Sequence, residues 1–368
     1  MTLSTMNILI VEGEEGPPLL DTVRCMGQEE YVNVYVACIG QRKWLAPVRY
    51  SKYTKAYFHL ENDTDDSNVK NIIDLAKRLN VKTILPAKEG TFLLFSKYLD
   101  LLEDFNLPPI SDFKTLTTVT DKWLLNNWLK DNGLPTPKSR QASNSNLGQI
   151  DYPFLLKPKH GIGGNDISLI QTRDSIRAKL DDDSILMDKY IFQDLIVGED
   201  IDISLVAING KIHSYTIQQG LIRKDFSFAT GIIFFKDPKF MEHVEVIIDK
   251  LNWTGITHLD FIYNKEDDLY YLLDFNPRFW STILGSLNAG INFPLLMVEL
   301  ANGQNVEKRD YKECEYYLNR SAISNFLKNL FRKGKIISLK NSSLNYAMSD
   351  PLPEFIKGLS MIVSKLRR

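Results

Sequence analysis

The sequence predicts a mixed fold in two parts. An N-terminal α/β domain with a parallel sheet is followed by an α+β region with antiparallel sheets. Three observations lead there. Short apolar strands alternate with helical stretches over roughly residues 1–110, the signature of a parallel α/β sheet. From Tyr152 onward the pattern changes to successive strands joined by glycine-rich connections. At 368 residues, with 44% hydrophobic and 24% charged residues, the chain has a globular composition and length for two or three packed domains.

The elements follow in order. Residues 7–11 (NILIV) form a short strand of the buried type, followed by a loop over residues 12–18 and a helical stretch through Met26. Residues 32–39 form a second strand, residues 69–79 have helical spacing, and residues 82–85 form a strand ending at Pro86. The first turn carries only Gly13 and Gly16, which excludes the three-glycine dinucleotide fingerprint. Residues 106–111 (NLPPIS) read as a linker. Residues 120–132 read as a helix with Thr120 or Asp121 near its start and Gly133 at its end. Strands are then expected within 153–159, 165–170, 190–197, 202–208, 212–219 and 230–235.

The hairpin over residues 256–276 is the most informative stretch. Folded about its acidic tip, with Tyr263 opposite Tyr271, it places Asp260 across from Asp274. Alternation then puts Leu259, Phe261, Tyr263, Tyr271, Leu273 and Phe275 on one apolar face. His258, Asp260, Ile262, Leu272, Asp274 and Asn276 share the other. Like charges directly opposite one another destabilise a sheet. The pair makes sense if a hard cation lies between the carboxylates, with the Asn276 amide oxygen beside it, and such ligands suit Mg²⁺ that also holds phosphates. A solvated polar face is the plainer alternative.

Two further motifs bear on phosphate and nucleotide chemistry. Residues 154–170 deliver Lys157 from a strand into a loop with Gly161, Gly163 and Gly164, whose backbone N–H groups can approach phosphate oxygens. It is not a P-loop, because no GK[ST] occurs and a strand follows. Residues 193–204 (QDLIVGEDIDIS) cross a hinge where backbone groups can meet a purine edge and a carboxylate beyond can meet ribose hydroxyls.

In this order and spacing, Asp121-Lys122, Gly133–Pro137, Lys157 with Gly161–Gly164, Gln193–Asp200 and Leu259–Arg278 together resemble the ATP-grasp superfamily. The branch is that of carboxylate–amine ligases similar to the carbamoyl-phosphate synthetase large subunit. The resemblance covers the chain to about Gly303. It implies a Rossmann-like pre-ATP-grasp domain over 1–110 and a small ATP-grasp subdomain with the phosphate loop over 111–195. It further implies a large subdomain with the metal hairpin over 196–305, and a basic extension over 306–368. By resemblance, Lys122 and Lys157 hold ATP phosphates and Gly161–Gly164 close over them. Asp194 lies near the adenine amino group, and Leu195 and Ile196 form the adenine hinge. Asp200 binds ribose, with Glu199 as fallback. Asp260, Asp274 and Asn276 bind Mg²⁺ (Mn²⁺ as substitute), and Arg278 contacts the transferring phosphate or acyl phosphate. The family usually has glutamate where Asp194 and Asp274 stand. The implied reaction is ATP-dependent joining of a carboxylate to an amine, releasing ADP and phosphate. The alternatives are a non-catalytic nucleotide-binding regulatory module and a bicarbonate-using carboxylase or carbamoyl-type enzyme.

Substrate contacts are less legible: residues 12–16, Lys88-Glu89, Arg223 and Ser281-Thr282 are candidates, each also readable as ordinary surface. His160 and His258 lie near the chemistry in sequence without forming a ligand motif. Net charge is -2, which gives no bias toward polyanions, and no nucleic-acid partner is expected. Three cysteines without CxxC suggest neither a disulfide framework nor a zinc site. With no secretory pattern in the first residues, a reducing cytoplasmic compartment is expected. Small-molecule carboxylate and amine substrates are the expected partners, with a homodimer left open. Residues 316–368 carry ten Lys and Arg against two acids. A terminal helix docked on the body is the favoured reading of 353–368, and a membrane-surface or polyanion-binding element the less favoured one.

Overall fold

The computed structural model describes residues 5–13, 17–40, 45–143, 146, 151–161, 164, 166–180, 187–222, 229–318 and 339–366. Of the sequence candidates, Glu14, Glu15, Gly16, Gly163, Arg223 and most of segment 321–340 lie outside them.

The N-terminal part runs β1 (Met6–Glu12), α1 (Pro17–Met26), β2 (Val32–Ile39), β3 (Thr54–Leu60), α2 (Asp65–Arg78), β4 (Thr83–Pro86) and α3 (Glu89–Lys97). The four strands form a parallel sheet in the order β3-β2-β1-β4. Both faces of β1 are covered, as parallel sheets require. Ile8 and Ile10 pack into one core cluster, while Leu9 and Val11 pack into another with Val69 and Ile72 of α2. Thr64 caps α2, with Asp65 and Asp66 in its first turn and Lys77 and Arg78 in its last, matching the helix dipole at both ends. β3 and α3 were not anticipated. The β3 segment (TKAYFHL) is only half-buried, so its sequence lacks a continuous apolar run.

Helices α4 (Phe113–Thr120) and α5 (Lys122–Asp131) lead into a four-stranded sheet of β5 (Ser139–Gln141), β6 (Phe154–Pro158), β7 (Ser168–Ile170) and β8 (Tyr190–Asp194). Its order is β5-β8-β6-β7, all antiparallel, with α6 (Arg173–Leu180) alongside. Asp121 caps α5 by accepting from the Trp123 and Leu124 N–H groups, and Gly133 ends it at φ +68. The expected start and stop of that helix are therefore both present.

A larger antiparallel sheet follows. It comprises β9 (Glu199–Ile208), β10 (Lys211–Ile222), β11 (Gly231–Phe235), β12 (Gly255–Asn264), β13 (Leu269–Asn276) and β14 (Cys314–Tyr317), in the order β13-β12-β9-β10-β11-β14. Helix α7 (Pro238–Lys250) lies between β11 and β12, and α8 (Ile283–Ala289) and α9 (Phe293–Ala301) follow the hairpin. Alternation along β9 sends Ile201, Ile203 and Leu205 into the core with Phe240, Val244 and Ile247 of α7. Asp202 and Ser204 therefore lie on the opposite face, across from Asp260 and His258 of β12.

The hairpin register needs one correction. His258, Leu259 and Asp260 do oppose Asn276, Phe275 and Asp274. Beyond them Phe261 pairs with Leu272 and Tyr263 with Tyr270, not with Leu273 and Tyr271 as expected. A bulge at Leu273 absorbs one residue, so Tyr270 and Leu272 take the buried positions. The bulge lets β13 keep two requirements that strict alternation sets against each other. The carboxylates stay opposed, and Tyr270 and Leu272 reach the core, Tyr270 against Phe240.

After β14 come α10 (Ser343–Ser349) and α11 (Leu352–Leu366). This last segment is tied back to the first helix through Arg24. The guanidinium, 1% exposed, donates to Asp350 Oδ2 (3.2 Å), to the Asp350 carbonyl (3.0 Å) and to Glu354 Oε1 (3.1 Å). Ser51 Oγ and the Lys52 N–H also donate to the Asp350 carboxylate.

Candidate active site

The small antiparallel sheet and the large one each contribute one face of a cleft. Lys157, on β6, is 4% exposed and donates to Gln193 Oε1 at 3.1 Å. Burial lowers its pKa to about 8, against the pull of Asp274 and Asp260 on the facing sheet. Lys122 sits in the first turn of α5, 6% exposed. Its Nζ lies 3.1 Å from Asp274 Oδ1 and 3.5 Å from the Gly161 carbonyl. The Lys122 N–H donates to the Lys159 carbonyl, which ties α5 to the start of the glycine loop. Both expected lysines, the described part of that loop and one expected metal carboxylate therefore meet.

The remaining hairpin residues form a hydrogen-bonded chain. Asn276 Nδ2 donates to Asp260 Oδ2 (2.9 Å), and Arg278 Nη2 donates to Asn276 Oδ1 (2.9 Å). Arg278 is held further by donating from Nη1 to the Phe279 carbonyl at 3.0 Å. On the other side His258 Nε2 lies 3.2 Å from Asp260 Oδ1, and His258 Nδ1 pairs with Ser204 Oγ at 2.8 Å. His258 also stacks on Trp280, with ring centroids 5.6 Å apart. Burial opposes charge on this imidazole, but the adjacent Asp260 carboxylate prevails and raises its pKa.

Asp202, opposite Asp260 on β9, was missed by the sequence reading. Burial raises its pKa, and the nearby Asp260 charge adds to the shift. Gln218 Nε2 donates to Asp202 Oδ2 (3.4 Å), and Thr282 Oγ1 donates to Gln218 Oε1 (2.9 Å). Thr282 is thus brought to the site, and Ser281 lines the same pocket. Ligand atoms of Asp202, His258 and Asp260 lie within 4.8 Å of one another. Asp274 instead faces Lys122. The paired, oxygen-rich carboxylates of Asp260 and Asp274 fit a hard cation. The Asn276 amide presents nitrogen to Asp260 here, and a half-turn of that amide brings its oxygen there.

The hinge also has a definite geometry. The Asp194 N–H donates to the Lys138 carbonyl, and burial raises the pKa of the Asp194 carboxyl against the pull of Lys138. Leu195 and Ile196 lie half-buried between β8 and β9. Asp200 lines the pocket with Asp202 and Asp260, whereas Glu199 is exposed and pairs with Lys265 at the hairpin tip. Gly198 presses on β12: a Cβ there would lie 2.3 Å from the Tyr263 carbonyl oxygen, so only glycine fits. From the N-terminal part, Glu89 at the start of α3 comes close enough to feel Arg278, Asp274 and Lys122. Burial raises its pKa despite the two cations. His160, 64% exposed, contacts Asp121 at 3.4 Å.

Comparison with known proteins gives the following likenesses. Residues 119–282 match a family model described as an ATP-grasp domain, and the chain carries that domain. Among curated proteins it is similar to a carbamoyl-phosphate synthase of Methanobrevibacter smithii, 23% identical over 59% of this chain and 62% of the relative. It is also similar to a D-aspartate ligase of Enterococcus faecium, 22% identical over 75% of this chain and 72% of the relative. The chain thus spans less than two thirds of the synthase. Among solved structures, the L-amino acid ligase of Bacillus licheniformis has a TM-score of 0.64 at 17% identity, covering 86% of this chain and 80% of that one. With its parallel N-terminal sheet and two antiparallel sheets, the chain shares its fold with that structure.

Proposed function

We propose that the chain is an ATP-dependent ligase. It activates a carboxylate as an acyl phosphate and joins it to the amine of an amino acid or small peptide-like metabolite. The observation that carries this reading is the connected set Lys122–Asp274 and Asp260–Asn276–Arg278 on one face of the cleft, with Lys157 opposite. Phosphoryl transfer needs cations around the phosphates and a fixed donor where charge develops. In this reading Lys122, Lys157 and the loop of Gly161, Gly163 and Gly164 hold the phosphates. Asp194, Leu195 and Ile196 meet adenine, and Asp200 meets ribose. Asp260, Asp274 and Asn276 would hold Mg²⁺, which when bound neutralises phosphate charge.

A carboxylate oxygen attacks the γ-phosphorus and ADP leaves. The amine nitrogen then attacks the acyl carbon, phosphate leaves and the amine loses a proton. Arg278, anchored by Asn276 and the Phe279 carbonyl, stabilises the acyl phosphate and its tetrahedral adduct. We place this reaction in the cytoplasm, a reading supported by the odd number of cysteines and the lack of a CxxC spacing.

The similarity to carbamoyl-phosphate synthases favours a second reading, in which bicarbonate is the activated acid. One experiment separates them. ADP and phosphate release from Mg-ATP is measured with pools of carboxylates and amino acids, with and without amine pools and bicarbonate. Release that needs one acid and one amine establishes the ligase. Release driven by bicarbonate alone replaces it with the second reading, and silence in every pool despite bound ATP leaves a non-catalytic module.

A further inference from the structure

Asp260 offers an oxygen to each of two neighbours. Its Oδ2 accepts from Asn276, which in turn holds Arg278, while Oδ1 lies 3.2 Å from His258 Nε2. That second side belongs to a cluster the ligase reading leaves unused. His258 and Asp260 stand two positions apart on β12 and so share a face, and Asp202 on β9 lies across from Asp260. One ligand atom from each of the three lies within 4.8 Å of the other two.

The buried Ser204 hydroxyl pairs with His258 Nδ1 at 2.8 Å. With the ring proton on Nδ1 and donated to that hydroxyl, Nε2 turns a lone pair toward Asp260 Oδ1. Two lone pairs facing each other at 3.2 Å call for a proton or a cation between them. A proton satisfies that pair alone, and leaves Asp202 with one long hydrogen bond among the described residues, 3.4 Å from Gln218. A divalent cation satisfies all three side chains. The spacing suits it, since ligand atoms about 2.1 Å from a metal stand roughly 3.0 Å apart at octahedral angles and roughly 3.4 Å apart at tetrahedral ones. Each of the three also has the outer partner that metal ligands need: Ser204 behind His258, Gln218 behind Asp202 with Thr282 behind it, and Asn276 beside Asp260. A cavity of about 80 Å³ opens onto the cluster. Asp200 lines it too, and among the described residues no lysine or arginine does. At roughly 30 Å³ for each water, it has room for a cation and one or two waters.

Ligand type selects the ion. Carboxylates and water suit Mg²⁺, whereas an imidazole nitrogen suits Zn²⁺ and its neighbours in the first transition row. We propose that Asp202, His258 and Asp260 form a second cation site, for a first-row divalent ion of the Zn²⁺ and Co²⁺ class, beside the Asp260–Asp274 pair and sharing Asp260 with it. Toward Mg²⁺, a hard ion, His258 stays behind Asp260. Toward the softer ion it ligates directly through Nε2, with Asp202 completing the protein's share and water the rest. This binding needs neither nucleotide nor the reaction proposed above.

Calorimetric titration tests it on the full chain, stripped with chelator and free of nucleotide, with CoCl₂ as the probe and ZnCl₂ as competitor. The wild type binds Co²⁺, Zn²⁺ displaces it, and Mg²⁺ in about 100-fold excess does not. Losing an outer partner typically costs about 10- to 100-fold in metal affinity, so losing a ligand, by His258→Ala or Asp202→Asn, weakens Co²⁺ at least that much. Asp202→Asn keeps the shape of its side chain, so the test stands even where His258→Ala fails to fold. Asp274→Asn leaves Co²⁺ affinity within a few-fold of wild type. A stripped wild type that binds no Co²⁺ overturns the proposal, as does wild-type affinity in Asp202→Asn. Loss on Asp274→Asn as large as on Asp202→Asn also overturns it, by assigning the ion to the Mg²⁺ pair, and so does displacement by Mg²⁺.

Discussion

Lys122 Nζ lies 3.1 Å from Asp274 Oδ1, an ion pair joining the first turn of α5 to the C-terminal end of the hairpin strand β13. The lysine is nearly inaccessible, so its partner is held in a fixed place before any ligand arrives. Asp274→Asn keeps the shape of that side chain and removes its charge. The expected result is a folded protein whose Mg-dependent ADP release falls by about 100-fold or more. Turnover assays beside a melting curve check it, and unchanged turnover would sink the metal assignment.

Lys157 leads to a pH prediction. Its pKa of about 8 lies below the ordinary lysine value of 10.5, because burial disfavours the charge. Below pH 8 the free protein already carries the positive amine that phosphates need. As pH rises through about 8 the amine becomes neutral, and nucleotide must recruit a proton on binding. ATP affinity, followed by titration calorimetry, is therefore expected to weaken above pH 8. Lys157→Arg stays charged, and the same titration should be flat over that range.

His258 acts through Asp260. Its two ring nitrogens are both occupied, one by Ser204 and one by the carboxylate, which fixes the carboxylate's orientation. Such outer partners typically contribute roughly 10- to 100-fold in metal affinity. His258→Ala is expected to raise the Mg²⁺ concentration needed for half-maximal rate by that factor, with the saturating rate less affected. His258→Asn should recover part of the loss. A fall in saturating rate with unchanged Mg²⁺ dependence would mean that His258 supports packing against Trp280 instead.

Gly198 sets the hinge by direct contact with β12. Gly198→Ala forces the Tyr263 carbonyl or the hinge itself to move and should cost about 1–3 kcal/mol of stability. ATP affinity should fall with it, because Leu195 and Ile196 hang from the same turn. Denaturant melts and nucleotide titrations of the variant measure both.

How much of this was legible in the sequence depended on how local each signal was. The start of α5 was readable because Asp121 and Gly133 act on their own neighbours. The opposed pair Asp260 and Asp274 was readable because a hairpin is a local object. The bulge at Leu273 was not, since what rewards it is Phe240, on a helix earlier in the chain. Asp202 escaped for a similar reason. In sequence it is one of several acids after the hinge, and only pairing of β9 with β12 brings it opposite Asp260. Ser204 and Gln218 carry no signal at all until their strands align. Of the four acids at or beyond the hinge, Asp194 stays with β8, while alternation separates Glu199, turned toward Lys265, from Asp200 and Asp202, turned toward the cleft.

The anchor of the terminal segment also yields a stability prediction. Asp350 is 1% exposed, and removing it leaves Arg24 without its main counter-charge inside the body. Asp350→Ala should therefore cost about 3–5 kcal/mol, more than any surface ion pair could. Chemical denaturation measures the loss, and a change below about 1 kcal/mol would show that Glu354 and Asp21 suffice.

Arg24 and Asp350 are 326 positions apart in the chain. On a ribosome adding roughly 5–20 residues each second, the arginine of the first helix emerges on the order of half a minute before its aspartate exists. Through that interval the N-terminal sheet can form, but the guanidinium beside it must stay hydrated or borrow Asp21. A segment made 326 positions later thus completes the packing of the first helix, and a stalled or clipped product lacking Asp350 and Glu354 would leave Arg24 with Asp21 as its acidic neighbour, a natural mark for quality control.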